Sequence, residues 1–174
     1  MQAWSLSWNT ADISVPGSDA QVIQIRRVGK GCLSYLIGSQ GEALVIDASL
    51  PPEVYLELAK GCGWSITAVL DTHIHADHLS RSRLLAEQSG ATVYLPIQAR
   101  VMYAFTPLRH GSIIKVGEAS LMVIQTPGHT PESMCYLLDR RTLFTGDTLF
   151  LQGVGRPDLH ATTEETRSYA HLLY

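Results

Sequence analysis

Apolar and polar residues alternate over residues 22–28, where Val22, Ile23, Ile25 and Val28 are set against Gln24, Arg26 and Arg27. A period near two is what a strand with one face on a core requires. Apolar runs at 33–37 and 43–46 follow, with Gly38 and Gly41 between them, which predicts a meander of strands with a tight turn. Pro51-Pro52-Glu53 then opens a segment carrying Val54, Leu56, Leu58 and Ala59 and closing on Gly61. Proline in the first turn and glycine at the end punctuate a short helix. Residues 66–70 are mostly apolar, rich in β-branched side chains and bounded by polar ones, which predicts a strand buried on both faces. Over 76–89 the spacing of Leu79, Leu84, Leu85 and Ala86, with Gly90 beyond it, predicts a helix, and 91–95 a further strand.

The second half repeats the scheme, with strands at 112–116 and 120–125, a Pro/Gly turn at 126–131, two more strands and a helix from about Glu164. The stretch from Cys32 to Asp47 is similar to that from Cys135 to Asp147, each reading as a hairpin that ends in aspartate. A duplicated β/α half would bring Asp47 and Asp147 to one cleft. The pattern predicts a single α/β domain over residues 1–174, two sheets stacked inside helices with no linker.

Composition narrows the function. The 174 residues are 45% hydrophobic and 17% charged, the balance of a globular chain. Lys and Arg number 13 against 16 Asp and Glu, a formal charge of −3 with no basic block, which argues against nucleic-acid and anionic-membrane partners. No apolar run approaches the roughly 18 residues of a spanning helix. Residues 1–8 lack a basic stretch and a long apolar core, so a secretory signal is not expected and the expected location is the cytoplasm. Cys32, Cys62 and Cys135 are odd in number, widely spaced and without a C-x-x-C pair, which argues against a disulfide framework and a thiolate zinc site. Each is expected as a small buried hydrophobe.

The chemistry begins where the 66–70 strand stops. Thr72-His73-Ile74-His75-Ala76-Asp77-His78 sets three imidazoles and a carboxylate within six residues. Such a cluster would repel or titrate near neutral pH unless a cation held it. His73 and His75 stand two apart, so in extended backbone they share a face on which ligand bonds of roughly 2.0–2.1 Å can converge. Asp77 and His78 fall on the following turn, placed for a second ion or for the surroundings of the first. A solvated polar turn seldom uses this density of ligands. In Thr126-Pro127-Gly128-His129-Thr130-Pro131 a glycine and two prolines frame one histidine rigidly, which limits the entropy lost on ligation. Asp147 ends a strand beside Gly146, placed to ligate alone or to bridge two ions, although an aspartate there also suits a turn cap. His110, His160 and His171 stand alone and read as surface or core histidines.

In these residues the chain resembles the metallo-β-lactamase superfamily, through T-H-x-H-x-D-H at 72–78, P-G-H-T at 127–130 and T-G-D-T at 145–148. The resemblance implies an αββα sandwich. The thioesterase (glyoxalase II) and persulfide dioxygenase branches share those motifs. Gly153-Val154-Gly155-Arg156-Pro157-Asp158-Leu159 resembles the G-x-G-R-x-D signature of the sulfur dioxygenases, and Leu79-Ser80 after His78 fits the same side. The dioxygenase resemblance implies Fe(II) on His73, His129 and Asp147, two histidines and one carboxylate, a set that leaves positions open for a sulfur and O₂. It keeps His75, Asp77 and His78 close by without a second metal, whereas the thioesterase branch joins them in a dinuclear zinc or mixed-metal site. Arg156 and Asp77 are then the expected catalytic residues, Arg156 facing substrate or orienting the Asp147 loop, and Asp47 fixes a ligand loop from behind.

The implied reaction is oxidation of a low-molecular-weight thiol persulfide by O₂ to sulfite and free thiol. The alternative is hydrolysis of a thioester in the manner of a hydroxyacylglutathione hydrolase. The superfamily pattern continues past the Asp147 motif into a helix, a strand with a further metal-proximal histidine and a closing helix, while this chain ends at Tyr174. His171, inside a predicted helix, does not replace that histidine. The resemblance therefore implies a domain lacking its C-terminal strand and helix, with an apolar face to be covered by another chain, a second copy included. Bacterial relatives often append rhodanese domains, and no rhodanese cysteine loop stands in this sequence.

Overall fold

The computed structural model describes residues 7–97, 101–159 and 162–173. Its first sheet has seven strands in sequence order: β1 (Trp8–Ile13), β2 (Gln21–Arg27), β3 (Leu33–Ser39), β4 (Glu42–Ile46), β5 (Ser65–Leu70), β6 (Thr92–Pro96) and β7 (Thr106–Leu108). The first four are antiparallel neighbours, and β4 to β7 run parallel. Parallel neighbours need crossovers, which α1 (Pro52–Gly61) supplies between β4 and β5 and α2 (Ser82–Ser89) between β5 and β6. The second sheet is antiparallel in the order β11-β10-β9-β8, from β8 (Ile113–Val116), β9 (Ala119–Gln125), β10 (Met134–Leu138) and β11 (Thr142–Phe144). A small hairpin, β12 (Leu149–Phe150) with β13 (Gly153–Val154), and α3 (Thr163–Leu173) complete the described elements.

The central strands of the first sheet are buried on both faces. In β4, Leu44 and Ile46 enter the core shared with Leu121, Val123 and Tyr136 of the second sheet, while Ala43 and Val45 pack with Tyr55 and Ala59 of α1 and Leu85 of α2. The same alternation divides Ala68 and Leu70 from Ile66 and Val69 in β5. Each buried Val, Leu or Ile among them stabilises the fold by about 1.5–3 kcal/mol. The strand expected at 66–70 is therefore as read, and the stacking of two sheets is the expected architecture. α3 has no buried residue and meets the fold at the β9–β10 loop, where Leu173 lies over Gly128.

The two halves are built alike. Tyr35 of β3 pairs with Ile46 of β4, and Tyr136 of β10 with Phe144 of β11, and the Tyr35 and Phe144 rings meet edge to face at 4.8 Å across the sheets.

Some local expectations are corrected. The helix expected over 76–89 begins only at Ser82. Upstream the polar groups bind the ends of strands instead of each other: Arg81 N–H donates to the Ala48 carbonyl at 2.8 Å, and Ser80 and Ser82 hydroxyls donate to Asp71 at 2.8 and 2.5 Å. β1 was not expected, because its side chains are almost all exposed and show no core-facing alternation. Of the cysteines only Cys135 is buried; Cys32 is half-buried and Cys62 exposed. Among the described residues no helix is long and apolar enough to cross a membrane.

Candidate metal centre

The site lies at one end of the two stacked sheets. β5 stops at Leu70, whose carbonyl accepts from Asp47 N–H at 2.8 Å, and two residues on the Thr72 carbonyl accepts from Met134 N–H of β10 at 2.9 Å. Tyr136 Oη, inside the shared core, donates to the Asp71 carbonyl at 2.6 Å. Thr72 is thus clamped to both sheets, and the histidines that follow project from a fixed base.

Asp47 is the hub of that base. Its Oδ1 accepts from Thr72 N–H at 2.7 Å and from His75 Nε2 at 3.1 Å, and its Oδ2 accepts from the Thr72 hydroxyl at 2.9 Å. The hydroxyl has one proton and gives it to Asp47, so toward His73 Nδ1, 3.0 Å away, it can only accept. That places the His73 proton on Nδ1 and frees the Nε2 lone pair. His129 is set the same way by a different partner: its Nδ1 lies 3.0 Å from the Arg156 carbonyl, which can only accept, so Nε2 is again free. His129 Nε2 stands 3.5 Å from Asp147 Oδ2, and His73 and His129 face each other edge-on with centroids 5.0 Å apart.

One donor atom from each of His73, His129 and Asp147 lies within 4.8 Å of the others. Two imidazoles and a carboxylate, the rings oriented through their far nitrogens, suit a divalent transition metal. Burial, helped by the charge on His75, pushes His73 down to about 3, so it is held in the unprotonated form a metal needs. Burial raises the Asp147 carboxyl, against the opposing pull of His129 and His75.

The structure separates the remaining candidates from this set. The His75 ring lies 4.2 Å from that of His73, tilted by 56°; its Nε2 is turned to Asp47 and it groups with Asp47 and Asp71. Asp47 thus engages His75 Nε2 and leaves Nδ1 as the nitrogen this ring can offer, while the His73–His129–Asp147 donors group without it. Burial lowers the His75 pKa, but the Asp47 charge and hydrogen bond outweigh it and raise it to about 9. Asp71, buried beside Asp47, is raised to about 6 by burial and then by that neighbouring charge. Asp77 and His78 pair with each other, Oδ1 to Nδ1 at 2.9 Å, and group with Cys32. Sequence reading missed Cys32 here; 45 residues separate it from Asp77 in the chain, and only the β2–β3 turn brings it close. Burial, then the Asp77 charge, raises the Cys32 pKa.

Arg156 is fully exposed and its guanidinium is paired with Asp158 at 2.8 and 2.9 Å; what reaches the site is its backbone carbonyl. The G-x-G-R run has a steric reason. A Cβ on Gly155 would lie 1.9 Å from the Asp147 carbonyl oxygen and 2.9 Å from His129 Cβ. Gly146, at φ +50°, sits against Thr72 in the same manner, its Cβ position 2.4 Å from Thr72 Oγ1. His110 accepts from Gln125 N–H at its exposed edge and His171 is exposed on α3, both apart from the site. His160 lies outside the described residues.

Comparison with known proteins places the fold. The profile of the metallo-beta-lactamase superfamily matches residues 27–172. A hydroxyacylglutathione hydrolase of Bradyrhizobium sp. is 37% identical over 134 residues, covering 72% of this chain and 52% of the relative; the chain thus spans about half the length of the curated relatives it matches. Among solved structures, a metallo-beta-lactamase from Staphylococcus aureus superposes with a TM-score of 0.81 at 32% identity, over 90% of this chain and 51% of that one. ETHE1 from Myxococcus xanthus gives 0.74 at 34% identity, over 85% and 67%. A further relative, solved in a di-iron-bound form, gives 0.62 at 26% identity, over 81% and 80%. With the profile across most of its length and the ligand motifs gathered at one end of two stacked sheets, the chain belongs to the metallo-β-lactamase superfamily.

Proposed function

We propose that the chain carries the metal centre of a persulfide dioxygenase, with one Fe(II) held by His73, His129 and Asp147. The observation that supports this most is the separation of ligands: two imidazoles and one carboxylate stand together, while His75 is bound to Asp47 and Asp77 to His78. When bound there, iron would supply the open positions at which a persulfide sulfur and O₂ can be held together. The reaction balances as RSSH + O₂ + H₂O → RSH + SO₃²⁻ + 2H⁺, so the outer sulfur is oxidised and O₂ reduced. The protein's tasks are positional. Thr72 and the Arg156 carbonyl keep the protons of His73 and His129 on Nδ1, Asp47 holds the Thr72 hydroxyl and the His75 ring, and the Arg156 guanidinium, paired with Asp158, fixes the segment that presents that carbonyl.

The second reading is a thioester hydrolase with two metals, which lower the pKa of a bound water to roughly 7 and polarise the carbonyl. The names of the hydroxyacylglutathione hydrolase relatives favour it, and the likeness to ETHE1 favours the first. Protein loaded with iron under anaerobic conditions is expected to consume O₂ with glutathione persulfide and to release sulfite, with feeble hydrolysis of acyl-glutathione. Hydrolysis of the thioester with no O₂ uptake would overturn the dioxygenase reading.

A further inference from the structure

Two hydrogen bonds join the segment carrying His73 to the loop carrying His129, and they are in register. The Thr72 carbonyl accepts from Met134 N–H at 2.9 Å, and Ile74 N–H donates to Glu132 Oε1 at 3.2 Å. A step from Thr72 forward to Ile74 on one segment is matched by a step from Met134 back to Glu132 on the other, as in an antiparallel ladder. β10 begins only at Met134, so at Glu132 a side chain supplies the acceptor that a backbone carbonyl offers within a sheet.

His73 stands between the two bonds. The peptide unit before its Cα is held through the Thr72 carbonyl and the unit after it through Ile74 N–H. Both soft dihedrals at His73 are thereby restrained, and with them the direction of its Cβ. The other end of the bond is fixed as well: Thr130 N–H donates to the Ser133 hydroxyl at 3.1 Å and Ser133 N–H to the Thr130 carbonyl at 3.3 Å, which closes a turn around Pro131 and Glu132. His129 precedes that turn directly, so the bond from Glu132 to Ile74 also sets one histidine relative to the other.

Glu132 is only 6% exposed. Burying a carboxylate costs free energy that hydrogen bonds have to offset, so core packing does not account for a glutamate here; what it adds is an acceptor. We propose that Glu132 is a positioning residue of the metal centre, its carboxylate holding the Ile74 N–H and so aiming His73 at the ion shared with His129 and Asp147. This rests on the metal reading of those three residues and not on which of the two reactions follows. The role needs an oxygen that accepts, and an amide oxygen accepts as a carboxylate oxygen does. Glu132→Gln should therefore retain the function and Glu132→Ala should lose it.

Hydrogen exchange in the metal-free protein reads the bond itself. The Ile74 amide is expected to exchange slowly in the parent and in Glu132→Gln, and about 10-fold or more faster in Glu132→Ala, with the Met134 amide as the internal reference. Release of cobalt(II) reads the consequence: it should be roughly 10–100-fold faster from Glu132→Ala than from the parent and close to the parent rate from Glu132→Gln. An Ile74 amide that is unprotected in the parent overturns the proposal without any variant. So would unchanged cobalt release from Glu132→Ala, or release from Glu132→Gln as fast as from Glu132→Ala. A parent that takes up no cobalt while Ile74 exchanges as expected would instead overturn the metal reading, and the positioning role with it.

Discussion

Gly155 lies so close to the Asp147 backbone that a single added carbon would fall 1.9 Å from the Asp147 carbonyl oxygen. The contact seats the β12–β13 hairpin on the loop that carries the carboxylate, and the next residue's carbonyl orients His129. One glycine therefore sets two donors of the candidate metal set.

Gly155→Ala should displace that loop. Overpacking of this kind costs about 1–3 kcal/mol of stability, and the larger effect should be on metal binding, with affinity falling at least 10-fold. Calorimetric titration of the metal-free variant with divalent metal, next to a thermal melt, separates the two effects. Parent-like affinity would show that the hairpin does not position Asp147.

Thr72→Val removes the hydroxyl that accepts from His73 Nδ1 and donates to Asp47 while keeping the side-chain volume. Outer partners of metal ligands typically contribute roughly 10–100-fold to affinity or activity, and a loss in that range is expected. Thr72→Ser should restore most of it. Iron content per chain and its dissociation rate are the quantities to compare.

Replacing His73, His129 or Asp147 by alanine should remove most of the bound iron and the activity with it, since two remaining donors leave the ion chiefly to water. His75→Ala and Asp77→Ala should retain close to one iron per chain with lower turnover. Iron analysis of the five variants decides this. Two irons in the parent, with one lost on Asp77→Ala, would favour the two-metal hydrolase.

Asp139 gives a pH signature away from the metal. Burial would raise its carboxyl, but the Ser18 hydroxyl and the Ser120 N–H and hydroxyl outweigh this and hold it below the usual value of 3.8. A depressed folded pKa contributes stability that is present above the unfolded value and is lost as pH falls through the folded one. Between about pH 5 and pH 3 the urea midpoint should therefore fall further in the parent than in Asp139→Asn. Equal falls would mean that this clamp between the β1–β2 link and the second sheet adds nothing.

Much of the fold is legible along the chain. Residues 43–46 and 66–70 are apolar without alternation because both their faces are covered, and the helix at α1 is announced by Pro51, Pro52 and Gly61. β1 escapes notice because an exposed edge strand is held by backbone pairing to β2, which side-chain pattern does not report. The start of α2 at Ser82 is equally hidden, since it depends on Asp71 and Ala48 capturing the polar groups of residues 80–82.

For the site, the sequence by itself determined the inventory: three histidines and an aspartate after a buried strand, a histidine framed by prolines, and two aspartates at the ends of similar hairpins. Ligand chemistry is a property of side-chain type, and so it can be read without coordinates. Which donors share an ion is a matter of a few ångströms, and only the tertiary structure decided it. His75 is two residues from His73 yet turns its Nε2 to Asp47, while Cys32 comes near Asp77 and His78 from the β2–β3 turn. Spacing along the chain fixes direction over two or three residues; beyond that, the packing of one sheet on the other sets the distances.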